Sequence, residues 1–299
     1  MLQFIKNWML PLAMLTGAVA YPLISYISFL TPYLIFTMLL LTFCKLSPRD
    51  LHIYPAHIWL LLIQLTGCLI IFFIVRLFNP IVAEGALICV LAPTATAAAV
   101  ITGMLGGNVA FLASYVFLCN VGVAVVAPFL FSFLGTHSDM PFFESFMYIC
   151  KQVGPLLILP LVCAWGMQYF LPKFHKKLLS IHQLSFYLWA VALTIVTGNT
   201  IRFLVEQNNP NYTVEISLAL VSLVICVGQF LLGRRIGRHY GDPVSSGQGL
   251  GQKNTILAIW MAQVYLDPIS SVAPAAYVLW QNIINSYQLW RQNRIKTNK

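Results

Sequence analysis

Ten stretches of the chain are apolar over about the length of a membrane span, and short polar connections separate them. They fall near 7–23, 28–45, 55–77, 80–104, 108–134, 144–170, 182–206, 213–233, 245–264 and 268–291. A helix needs about 20 mostly apolar residues to cross a bilayer, so the pattern predicts ten transmembrane helices. No connection is long enough to hold a soluble domain or a disordered linker. The chain reads as one membrane unit: a five-helix half over 1–134, a second over 144–291, and a basic tail over 292–299.

Composition agrees. Apolar residues make up 59% of the 299 positions and charged residues 8%, against about a quarter charged in a soluble domain. A soluble protein cannot cover its surface with so few charges, whereas in lipid that requirement vanishes. The net charge of +9 does not point to nucleic acid, because the basic residues sit in short clusters between apolar runs. The seven cysteines are scattered with no pair at metal or redox spacing, and neither a cofactor nor a metal site is expected.

Charge also orients the spans, since cytoplasmic loops collect Lys and Arg. With the N-terminus inside, Lys6, Lys45, Arg49, Lys173, Lys176, Lys177, Arg234, Arg235, Arg238 and the tail cluster from Arg291 all fall inside. The outer loops hold Asp139, Glu206, Glu215 and Asp267 instead. Lys6 and Ala18-Val19-Ala20 have the outline of a cleaved leader, yet the division into two sets of five spans needs the first helix to stay. Both ends are expected in the cytoplasm, in a plasma or inner membrane.

Ten spans divide into two sets of five, and an odd number makes the second set enter the membrane in the opposite sense. That is the arrangement of inverted-repeat transporters, whose sites lie where helices are interrupted at matching places in the two halves. The fourth span carries Pro93 near its middle, where the ring removes a donor and clashes with the preceding turn. The ninth span, fourth of its half, carries Gly247, Gly249 and Gly251 at alternate positions, and glycine weakens a helix. The two interrupted helices are expected to cross, and unwound backbone there must face protein or a water-filled cavity. A structural kink at Pro93 and close packing at the glycines are the plainer readings of the same residues.

Lys253 is the sharpest single residue. It lies at mid-membrane, where a charged lysine costs about 2.5–3.5 kcal/mol on insertion scales, and Glu84, in the fourth span, is only about a turn inside its outer end. Other motifs are weaker. His175 and His182 flank the inner basic loop and read as a solvated face. Asn211-Tyr212-Thr213 matches a glycosylation sequon, and Trp8, Trp59, Trp165, Trp280 and Trp290 read as interfacial anchors. With no paired intramembrane carboxylates and no nucleophile motif, the chain is not read as an enzyme.

Around the fourth and ninth spans the chain resembles the bile acid:sodium symporter family. The fourth-span pattern of that family, Pro, two small residues and Thr-Ala-Ser-Asn, then Gly-Asn-Val-Ala, falls on Pro93 to Ala99 and on Gly107-Asn108-Val109-Ala110. Its ninth-span pattern, Glu-x-Gly-x-Gln-Asn, falls on Gly249-Leu250-Gly251-Gln252-Lys253-Asn254. Gln64 matches the family's third-span sodium-site glutamine. The resemblance implies a core domain around the crossed helices, a panel of spans one, two, six and seven, alternating access, and organic anions as substrates. The departures are equally informative. Where the family places sodium ligands, this sequence has Ala98, Ala99, Gly249 and Lys253. Oxygen ligands of a hard cation are lost, and an ammonium group stands near the site.

The expectation is therefore a secondary transporter of small organic anions in which Lys253 replaces the bound sodium charge, either as a fixed cation or as an amine that takes and releases a proton. The candidate pathway comprises Lys253, Asn254, Gln252, Gln248, Thr94, Thr96, Gln64 and Asn108. A sodium-coupled symporter using other ligands, such as Thr94, Thr96 and Gln248, is the first alternative. A membrane receptor or channel-like protein without coupled transport is the second. Partners are limited to the anion, membrane lipid and protons, with sodium subordinate and nucleic acid absent.

Overall fold

The computed structural model of the chain describes residues 2–48, 51–95, 97–134, 141–180, 184–206 and 212–297. Its regular elements are helical, in the order α1 (Leu2–Val19), α2 (Tyr21–Ile24), α3 (Thr31–Phe43), α4 (Pro55–Arg76), α5 (Pro80–Leu91), α6 (Ala98–Met104), α7 (Val109–Leu134), α8 (Phe142–Phe170), α9 (Pro172–Ser180), α10 (Leu184–Glu206), α11 (Tyr212–His239), α12 (Pro243–Gly251), α13 (Thr255–Tyr265) and α14 (Val272–Thr297). Among the described residues, six helical stretches are long and apolar enough to cross a membrane by themselves, and α5 and α13 are shorter apolar helices. The protein is a polytopic α-helical membrane protein.

Burial is inverted relative to a water-soluble fold. Large apolar side chains face outward, among them Phe73, Ile74, Val125, Val224 and Ile283. The interior holds Gln64, Thr94, Lys253 and Gln281 beside its apolar core. A bilayer rewards this distribution, because lipid solvates the outer face and polar groups find partners only inside.

Local chemistry explains where helices begin. Prolines open α4, α5, α9 and α12, a position where the missing N–H is not needed. Asn79 caps α5 by accepting from the Val82 N–H at 3.0 Å, and Asp242 caps α12 by accepting from the Ser245 N–H at 3.0 Å. Between α5 and α6 the chain is unwound at Pro93, and Ala92 is extended with ψ of 135°, as the residue before a proline must be.

The glycine-rich stretch of α12 and α13 also breaks, but one residue later than its glycines suggest. Gly247, Gly249 and Gly251 all lie within helical α12, and the interruption comes at Gln252–Asn254. The reason is packing. A Cβ on Gly247 would meet Arg234 Cγ at 2.6 Å, one on Gly249 would meet the Tyr115 ring at 2.8 Å, and one on Gly251 would enter the Phe230 ring. The glycines let α12 lie against α11 and α7, which is how small residues serve membrane helices.

Candidate functional site

The two interruptions meet. The Asn254 N–H donates to the Pro93 carbonyl at 2.8 Å and the Ala95 N–H donates to the Gln252 carbonyl at 2.8 Å. Thr94 and Lys253 form an antiparallel bridge between these bonds. Backbone freed from helix at each interruption is thus paired with the other, which satisfies the demand that backbone amides away from water find partners inside the protein.

Around this crossing, the last carbonyls of the first half-helices accept from side chains of the protein itself. At the end of α5, Gln229 Nε2 donates to the Cys89 carbonyl at 3.2 Å, Lys253 Nζ donates to the Val90 carbonyl at 2.9 Å, and Gln64 Nε2 donates to the Leu91 and Ala92 carbonyls, each at 3.0 Å. At the end of α12, the Thr94 hydroxyl donates to the Gly249 carbonyl at 2.6 Å and the Tyr277 hydroxyl to the Gly251 carbonyl at 2.8 Å. A helix C-terminus carries partial negative charge and favours a cation. At α5 the group in place is the Lys253 amine, on a side chain with 1% exposure.

Gln64 is held in one orientation. Its Oε1 accepts from the Tyr115 hydroxyl at 3.0 Å and from Cys119 Sγ at 3.4 Å, which turns the NH₂ group toward α5. In this arrangement the amide acts on the crossing as a donor, whereas a cation ligand would present its oxygen. Lys253 is tethered at its backbone too, since its N–H donates to Gln281 Oε1 at 3.0 Å. Among the described residues, no carboxylate pairs with Lys253.

Of the residues singled out from sequence, the structure gathers Lys253, Thr94, Gln64, Gln252, Asn254 and Pro93 at the crossing. Asn254 caps α13, its Oδ1 accepting from the Leu257 N–H at 3.3 Å. The Gln252 side-chain oxygen is buried with no partner among the described residues. Gln248 points elsewhere, its amide donating to Asn285 at 2.9 Å and Gln288 at 3.2 Å on α14. Asn108 caps α7 and is joined to Ser245 at the start of α12, away from the crossing. Thr96 lies outside the described residues. Ala98, at a family ligand position, is fully buried.

Four contributors escaped the sequence reading: Gln229, Gln281, Tyr115 and Tyr277. The signal was present for the two glutamines, since an amide inside an apolar span is costly unless it has work to do. The tyrosines are no different from aromatic core residues until their hydroxyl partners are known.

The family model described as Sodium Bile acid symporter family matches residues 31–207, more than half of the chain. The matched stretch includes Gln64, α5, α6 and Asn108, and it ends before Lys253. No curated protein matches the chain.

Proposed function

Because this chain belongs to the sodium bile acid symporter family, we propose that it moves small organic anions across the cell membrane by alternating access, without bound sodium. Membership makes it a membrane transporter of the bile acid and sodium symporter kind. Its ten spans are α1, α2 to α3, α4, α5 to α6, α7, α8, α10, α11, α12 to α13 and α14. The broken fourth and ninth spans then take corresponding places in two inverted repeats, as transporters with midplane sites require.

One observation carries the sodium-independent reading. The carbonyls that a cation at the crossing would seek already accept donors of the protein, and one of those donors is the Lys253 ammonium at 2.9 Å from the Val90 oxygen. The lysine supplies, on a covalent tether, the positive charge that stabilises the C-terminal end of α5. Gln64 supports it by holding the next two carbonyls. The residues at the family's other ligand positions, Ala98, Ala99 and Gly249, offer no side-chain oxygen. An ammonium that never leaves removes the need for an inward sodium gradient. The same amine couples transport to protons if it is neutral for part of the cycle. Uptake into proteoliposomes, with sodium and pH gradients imposed separately, tests both.

Orientation has its own test. Single cysteines introduced at Lys177 and Arg238 should react with a membrane-impermeant thiol reagent only from the cytoplasmic side, and those at Asp139 and Asn209 only from outside. Opposite sides for Lys177 and Arg238 would break the ten-span arrangement, because α10 and α11 would no longer form a pair between them.

A further inference from the structure

We propose that α9, together with the cavity beside it, forms a binding site for the headgroup of an anionic phospholipid in the inner leaflet. The nine-residue helix is two-faced. His175, Leu178 and Leu179 turn inward: His175 Nε2 is bonded to the Cys44 carbonyl at 2.9 Å, and the leucines pack on the core. Lys173, Lys176 and Lys177, at the i, i+3, i+4 spacing that puts side chains on one helix face, are exposed on the other. The His175 bond places the end of α3 against α9, and exposed Lys45 is the residue after Cys44.

Beside this basic group lies a cavity of about 350 Å³ lined by Ser47, Pro48, Trp165, Gln168 and Tyr169. Lys45 precedes one wall of the cavity in the chain and Lys173 follows the other. The Trp165 indole fixes the wall by donating to the Leu46 carbonyl at 3.1 Å. Among the described residues, no carboxylate pairs with any of the four lysines. The rim identifies the occupant. Tyr169, Phe170, Leu171 and Phe174 are all more than half exposed, so this end of α8 sits at the hydrocarbon boundary, where acyl chains cover apolar side chains and lysines reach the phosphate layer. A soluble anion would leave that rim bare.

The site does not depend on what the protein transports, and its test reads lipid retention only. The protein is placed in nanodiscs of equal phosphatidylglycerol and phosphatidylcholine and the lipids it keeps are counted by native mass spectrometry. Wild type should retain phosphatidylglycerol with a preference on the order of tenfold. The variant K45Q/K173Q/K176Q/K177Q should lose the preference, and Gln168→Trp, which fills the cavity with the lysines intact, should lower it. R291Q/R294Q, which removes two other basic groups from the inner end, should keep it. The proposal is overturned if the quadruple variant still prefers phosphatidylglycerol, if R291Q/R294Q loses the preference equally, or if Gln168→Trp leaves it unchanged. Displacement of the lipid by excess inorganic phosphate would also overturn it, by assigning the lysines to a soluble anion.

Discussion

Lys253→Met should lower transport about tenfold or more while leaving the protein folded, because a charge-assisted hydrogen bond contributes about 1.5–3 kcal/mol. Methionine keeps much of the volume, and removing a buried cation, which costs about 2.5–3.5 kcal/mol at membrane depth, offsets the roughly 1–3 kcal/mol of leaving the Val90 carbonyl without its donor. What disappears is the ammonium against the Val90 carbonyl at 2.9 Å, and with it the positive charge at the end of α5. Lys253→Arg should rescue poorly. A planar guanidinium spreads its charge over a fork and does not fit a site built around one point charge and one carbonyl. The readout is initial uptake in proteoliposomes, with detergent melting curves to show that the variants fold. If wild-type uptake responds to a pH gradient and the methionine variant does not, the amine is the proton carrier. Normal uptake by Lys253→Met would make the lysine a structural tether and return the search to Thr94 and Asn254.

Gln64→Met should lower the thermal stability of the purified protein, and by more than most core substitutions of equal size. One amide serves the Leu91 carbonyl, the Ala92 carbonyl and the Tyr115 hydroxyl. An unsatisfied buried group costs about 1–3 kcal/mol. Partial relaxation keeps the costs from adding fully, so a total of roughly 2–4 kcal/mol is expected. Gln64→Glu separates the two roles open to this residue. A carboxylate cannot donate to the two carbonyls, so the donor role makes this variant unstable as well. If Gln64 were chiefly a cation ligand, glutamate would be tolerated and would draw a cation in. Melting curves of both variants, with and without sodium, distinguish these outcomes.

The membrane class and the break at Pro93 were legible in the sequence because the bilayer imposes them. Long apolar runs are a local signal, and six helices among the described residues are long and apolar enough to cross a membrane; Pro93 is another, and the chain is unwound there after α5. Lys253 was legible for the same reason, as a charge too deep to reach water. The glycines were half legible. Their presence marked the ninth span, but whether they unwind α12 or press it against Phe230 and Tyr115 depends on neighbours that no local pattern names. His175 shows the same limit. In the sequence it sits in a basic loop and reads as solvated, yet it is buried against the Cys44 carbonyl, 131 residues away. The donor set of the crossing was the least visible. Gln229 reaches Cys89 across 140 residues and Tyr277 reaches Gly251 from α14, so it exists only once the two halves are assembled.

The most direct test of the central claim is initial uptake of an organic anion by purified protein in proteoliposomes, measured with sodium present and with sodium replaced by choline at constant pH. With the Lys253 ammonium in the place of the cation, the two rates should be nearly equal. A steep, saturable rise in uptake with sodium would contradict the account and establish coupling through ligands other than Ala98, Ala99, Gly249 and Lys253.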